Sequence, residues 1–402
     1  MTAPLPLAEA KTAARLLAAA NALGGTVGTI AVGTGGLVGA AMLAPENRAL
    51  ATVPVSTFII GGAIASIPAA LLMRRIGRRA GFITGALIGC LGALAAAGTV
   101  AAGSFWLFCL AMAAMGAANA FNQQYRFAAA DAAEPAFKPK AISWVLVGGI
   151  VNAVLGPQAS IHGLDLLPAV PYAGPFVIMA GLFVLTALLL TRLHVPPPPP
   201  LSLKAAGRPI GRIVANLRFV VALSAAVASF ALMSFVMTAT PLAMIDHHHG
   251  HADAQHAIQW HVLAMYGPSF FSGGLIARFG KAPVVAAGLL LIALAAVVGL
   301  MGTSLGHFFT ALVLLGVGWN FGFVGATAMV TELYRPEEAF RLQAFNDAVL
   351  FGCVAAASFS SGRILAVSGW EMVNWIVFPV VAVCLALLVV DGMRRPAQVP
   401  RT

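Results

Sequence analysis

The chain has 402 residues, 60% of them hydrophobic and only 9% charged, with a mean hydropathy of +0.92. Soluble domains carry about 25% charged residues, so these values exclude an ordinary soluble enzyme or binding module. Repeated apolar runs of about 20 residues predict membrane-spanning helices, which satisfy their own backbone groups where no water reaches. The net charge of +10 does not point to nucleic acid, because of the 23 Lys and Arg all but Arg48 and Arg363 fall in the termini or in alternate loops. That is the positive-inside bias, and it predicts both termini in the cytoplasm.

In chain order the apolar runs predict twelve spans: 13–43, 51–73, 80–101, 105–128, 141–162, 171–193, 216–243, 256–277, 282–302, 307–330, 342–365 and 372–391. The first is too long for a signal-peptide core and reads as a retained span. Between the sixth and seventh, His194 is followed by Pro196 to Pro200 and then by Lys204, Arg208 and Arg212. Five prolines favour an extended connector. The predicted organisation is therefore an N-terminal six-helix bundle (1–193), a cytoplasmic linker (194–215) and a C-terminal six-helix bundle (216–402).

The halves repeat at an offset of 203 residues. AALLMRRIGRR (69–79) lies over GGLIARFGKA (273–282), and AFKPKA (136–141) over AFRLQA (339–344). Two loops matching at one offset argue for a duplicated scaffold. The loop after the second span resembles the Gly-x-Leu-x-Asp-Arg-x-Gly-Arg-Arg/Lys signature of the major facilitator superfamily through Leu72, Arg75, Gly77, Arg78 and Arg79. The second copy keeps Arg278, Gly280 and Lys281, while Arg74 and Ala277 stand at the acidic position. GIVNAVLGP (149–157) resembles the family's Gly-Pro motif. The resemblance implies an all-α fold of two pseudo-symmetric bundles, with these loop residues in gating.

Met233 and Met237 lie four apart, as do His261 and Met265. In an antiparallel helical hairpin Met233 lies level with Met265, and Met237 with His261, on facing sides. Three thioethers and an imidazole suit Cu(I); packing or lipid contact is the other reading of the methionines, and an interfacial role that of His261. The positions 203 residues earlier are Ile30, Thr34, Phe58 and Gly62, so the soft groups occur in one copy only. The loop between these spans holds His247, His248, His249, His251 and His256, read either as a metal-capturing tract or as a hydrophilic cap. Asn119, Asn122, Gln123, Gln124, Tyr125, Arg126 and Asp131, with Asn320, Glu332, Asn346 and Asp347, read as inner-gate polar groups or as coupling groups. With no carboxylate near the middle of a span, His261 is the best-placed proton carrier. Cys90, Cys109, Cys353 and Cys384 sit in apolar runs without a CxxC pair. No Walker P-loop is present, which argues against an ATP-driven pump and for a gradient-driven carrier, not an enzyme.

The paired Met-x-x-x-Met and His-x-x-x-Met motifs resemble those of the CcoA-type copper importers of bacterial inner membranes. That resemblance implies copper as the transported substrate, no resident cofactor, and delivery to cbb-type cytochrome c oxidase through a chaperone or exporter of that assembly route. Two other readings stand beside it: a carrier of small organic compounds on the same fold, with the Met cluster as an apolar wall, and a membrane copper sensor that moves nothing.

Overall fold

The computed structural model describes residues 5–196, 208–335 and 338–394. The middle of the proline-rich linker and the arginine-bearing tail lie outside them. Among the described residues all regular structure is helical. The first span (Leu7–Met42) changes helix at Gly25. Val53–Ile76, Arg78–Ala101, Phe105–Ala132, Lys138–Leu166 and Gly174–Leu190 follow as the second to sixth. The seventh is Leu217–Asp246, and the eighth is broken at Gly267–Pro268 into His251–Tyr266 and Ser269–Phe279. Lys281–Met301 and Leu305–Thr331 are the ninth and tenth. Ala339–Trp375 holds the eleventh and turns at Gly369, where φ is +77°, before the twelfth continues through Val377–Met393. Helix covers each of the twelve stretches expected from the sequence; among the described residues nine helical segments are long and apolar enough to cross a membrane, Arg341–Met393 holding the last two stretches, while the sixth (Gly174–Leu190) is shorter and the eighth is broken.

Each half packs on itself. Two apolar cores are drawn from the first six spans, around Leu17, Phe82 and Tyr125 and around Ile30, Phe108 and Phe176. A third runs through the last six, around Phe219, Ile292 and Leu315, and takes in Leu37, Ala51 and Ala153 of the first six. The duplication is visible in the backbone: Gly77 and Gly280 take φ +84° and +87° at matched turns. That left-handed conformation costs a side chain about 1–2 kcal/mol, and glycine nothing comparable. The residue after each turn makes an equivalent ion pair. Arg78 reaches Asp131 at the end of the fourth span, 2.5 Å away, and Lys281 reaches Glu332 at the end of the tenth.

The described end of the linker is pinned to the last bundle. Arg208 meets the buried Glu338 carboxylate through its backbone N–H, Nε and Nη2 at 2.8, 3.0 and 2.8 Å, and donates also to the Leu333 carbonyl. The guanidinium and two backbone N–H groups, from Arg335 and Arg208, hold the Glu338 carboxyl well below the usual carboxylate range. A depressed folded value contributes stability above the ordinary carboxylate pKa, lost only as pH falls through the lowered value. Protection of the 208–214 amides from hydrogen exchange should therefore persist from neutral pH to about pH 5, and should drop at neutral pH in Glu338→Gln.

Helix contacts at the second and fourth spans rest on glycine. A Cβ on Gly116 would sit 1.9 Å from the Phe58 carbonyl oxygen, whereas one on Gly98 would meet nothing within 4 Å. Gly116→Ala should lower stability by about 1–3 kcal/mol in detergent unfolding, while Gly98→Ala should be neutral or slightly stabilising.

Candidate functional site

The two halves touch most closely at the end carrying the histidine loop. Gln255 donates to the Gly33 carbonyl at 2.9 Å and Gln158 to Gln259 Oε1 at 3.0 Å. Ser56 and Thr238 both lie 3.3 Å from Ser358 Oγ, and Thr52 donates to the Phe359 carbonyl. Arg48 pairs with Asp246 at the surface. Every one of these bonds but Thr238–Ser358 joins the first six spans to the last six. At the opposite, arginine-rich end, Arg126 of the fourth span and Asp347 of the eleventh remain exposed. Arg126 lies within electrostatic reach of both Asp347 and Tyr266 of the eighth span. The molecule is closed at the histidine end.

Near mid-depth the last bundle presents an aromatic cluster. Phe230 of the seventh span meets Trp319 and Phe323 of the tenth at 5.5 and 5.2 Å, and Phe351 of the eleventh at 6.0 Å. Trp319 and Phe323 are stacked at 5.3 Å with planes 15° apart. Tyr266 stands edge-on to Trp319 at 6.4 Å and also approaches Gly149 of the fifth span, so the cluster reaches the interface between bundles. Helical spacing places Trp319 and Phe323 one turn apart on a single face. Trp319 Nε1, within the cluster, is buried with no hydrogen-bond partner, as are Asn320 Oδ1 of the same span and His261 Nε2 of the eighth. The cluster was missed from sequence because its members come from four spans; Trp319 beside Asn320 was the available signal.

Met233, Met237, His261 and Met265 are all buried, and the three methionines belong to one apolar core. Their arrangement differs from the simple hairpin. The eighth span packs more extensively on the tenth and fifth than on the seventh, and His261 Nδ1 donates to the Leu312 carbonyl of the tenth span at 2.7 Å. Since a carbonyl only accepts, the proton sits on Nδ1 and the Nε2 lone pair is left bare. The histidine loop does not gather. His249 Nε2 donates to the Thr303 carbonyl at 2.8 Å, His247 and His249 lie against Phe308, and His251 stands edge-on to Tyr172. His248 takes φ +63°, and His256 is half-buried in the helix that follows. Among the described residues, no three His, Cys, Asp or Glu side chains come together to hold a metal ion.

The two loops expected to act in gating take matched backbone turns. Leu72 is half-buried, Arg75 and Arg79 are exposed, and Arg278 lies over the Phe279 ring at 5.1 Å. Of the polar groups expected at an inner gate, Asn122 instead donates to the Gly24 carbonyl, and Asn320 to the Met265 carbonyl and Ser269 Oγ.

Two six-span halves related by a repeat, closed at one end around a central aromatic and polar patch, define a membrane carrier. The family model described as Major Facilitator Superfamily matches residues 18–268 and 221–402, and the chain belongs to that family. It is 47% identical to the riboflavin transporter RfnT of Brucella anthropi over 384 residues, which is 94% of this chain and 96% of that protein. It is 30% identical to the uncharacterised MFS-type transporter YddS of Bacillus subtilis, over 90% of this chain and 87% of the relative. Among solved structures, the xylose transporter XylE of E. coli superposes with a TM-score of 0.71 at 14% identity, over 97% of this chain and all of that one. The nucleoside transporter NupG gives 0.69 at 14% identity, over 96% of this chain and all of that one.

The Arg48–Asp246 pair is partly solvated, and such pairs contribute about 0.2–1 kcal/mol. Arg48→Asp should shift the closed-to-open equilibrium at this end by up to about fivefold. Adding Asp246→Arg should restore it, as read from spin-label distances between the bundles.

Proposed function

We propose that the chain is a secondary carrier of the bacterial inner membrane that takes up a flavin or a closely similar planar compound by alternating access. The observation that carries this reading is the aromatic cluster of Phe230, Trp319, Phe323 and Phe351 at the bundle interface. A fused, flat ring system needs stacking faces and a few edge hydrogen bonds. The cluster supplies the faces; Trp319 Nε1 offers a donor, and Asn320 Oδ1 and His261 Nε2 offer acceptors. The identity of 47% to a riboflavin transporter across nearly the whole chain supports the same class.

Copper import, expected from the Met and His motifs, finds no support in these relatives, and the reading as a carrier of small organic compounds fits them better. On that reading Met233, Met237 and Met265 act as a pliable apolar wall beside the rings. His261 serves as a hydrogen-bond acceptor of fixed tautomer rather than as a ligand or proton carrier.

The test is uptake of labelled riboflavin into liposomes holding the purified protein. Removing one stacking partner costs about 1–3 kcal/mol, so Trp319→Ala should raise the apparent KM by about fivefold or more. Wild-type protein and His261→Ala should accumulate copper equally, at the level of empty liposomes. Copper uptake that needs His261 would reverse the assignment.

A further inference from the structure

The arginine turn between the second and third spans holds more positive charge than gating alone uses. Four guanidiniums, Arg74, Arg75, Arg78 and Arg79, fall within six residues. The carboxylate that answers them is Asp131, which bonds Arg78 Nη2. Arg74 and Arg78 are near enough to repel each other. Arg78 is only 7% exposed, yet its Nη1 is buried without a hydrogen-bond partner. A buried charged donor left unpaired is costly, and the charge calls for an anion.

Two of the four, Arg78 and Arg79, line a cleft of about 330 Å³ together with Ile76, Gly77, Ala80, Ile83 and Val195. The third span starts at Arg78, so its first backbone N–H groups are free of helical partners at the cleft. Above the cleft the helix bears an apolar stripe. Ala80, Ile83, Leu87, Leu91 and Leu94 recur at helical spacing, with Leu87, Leu91 and Leu94 exposed by 50, 67 and 49%. A cationic pocket at the foot of a lipid-facing stripe has the form of a phospholipid: charge at one end, chain along the other.

The repeat provides an internal contrast. At the offset of 203 residues Arg74 and Arg79 become Ala277 and Ala282, and Lys281 in place of Arg78 is paired with Glu332. The duplicated turn kept its backbone, but the surplus of positive charge belongs to the first copy.

We propose that this cleft binds the phosphate of an anionic phospholipid of the adjoining leaflet, with an acyl chain lying along Ile83, Leu87, Leu91 and Leu94. Arg78 Nη1, Arg79 and the helix N-terminus hold the phosphate, and the bound lipid braces the turn that Gly77 makes.

The full-length protein in neutral detergent can be titrated with phosphatidylglycerol, phosphatidylcholine or inorganic phosphate, with thermal shift and native mass spectrometry as readouts. Phosphatidylglycerol should bind most tightly. Arg79→Gln removes an exposed charge, and Arg78→Lys keeps a cation for Asp131 while deleting the free donor. Arg79→Gln should weaken phosphatidylglycerol about fivefold, as expected for loss of one basic group near an anionic headgroup, and Arg78→Lys should weaken it through the lost donor, while Arg278→Gln in the second copy should not. Equal binding of phosphatidylcholine, a full shift from inorganic phosphate alone, or an equal loss in Arg278→Gln would each overturn the proposal. Should Arg78→Lys fail to fold, Arg79→Gln against Arg278→Gln decides the matter alone.

Discussion

Short polar side chains hold the closed end of this protein together. Ser56, Ser358, Thr52, Gln255, Gln158 and Gln259 bridge the bundles, with one partly solvated ion pair at the rim. A hydrogen bond of this kind contributes about 0.5–1.5 kcal/mol net. Several together keep one end shut, yet each can be exchanged for water when the halves rock apart. The chemistry of the seam thus suits a carrier that must close at one end and open at the other.

Away from the seam the bundles divide the work. Helices approach closely at Gly61, Gly62 and Gly116 in the first six spans, as they do at Gly288, Gly316 and Gly318 in the last six. The last six carry the bulky, adaptable groups: the ring cluster around Trp319, the three methionines, and the polar edge of His261 and Asn320. Asn320 is fixed by the Met265 carbonyl and Ser269, and His261 by the Leu312 carbonyl, so the eighth and tenth spans are stitched together beside the rings. Polar groups oriented in this way recognise one pattern of donors and acceptors and reject others, because a mismatched ligand leaves them unpaired.

The duplication explains both likeness and difference between the halves. Matched positive φ at Gly77 and Gly280, and matched ion pairs following them, show that the turns are one device used twice. The acidic residue usual in this turn is replaced in both copies, by Arg74 and Ala277, and Asp131 and Glu332 stand at the foot of the neighbouring span instead. Carboxylate and cation still meet, through a contact between spans rather than within the loop.

The sequence by itself determined the class of fold. Runs of apolar residues long enough to cross a bilayer, a proline-rich break and a repeat at constant offset leave few architectures, because backbone groups in lipid must be satisfied within each helix. The Met and His spacing was legible too, and each of the four residues is buried. What the spacing lacked was the neighbour. Periodicity reports which side chains share a face of one helix, but not which helix that face meets. The eighth span turns to the tenth, so His261 finds the Leu312 carbonyl, and the rings of Phe230, Tyr266, Trp319 and Phe323 assemble from three helices far apart in the chain. Only the tertiary structure decided that, since it depends on how helices pack against one another and not on the order in which they are written.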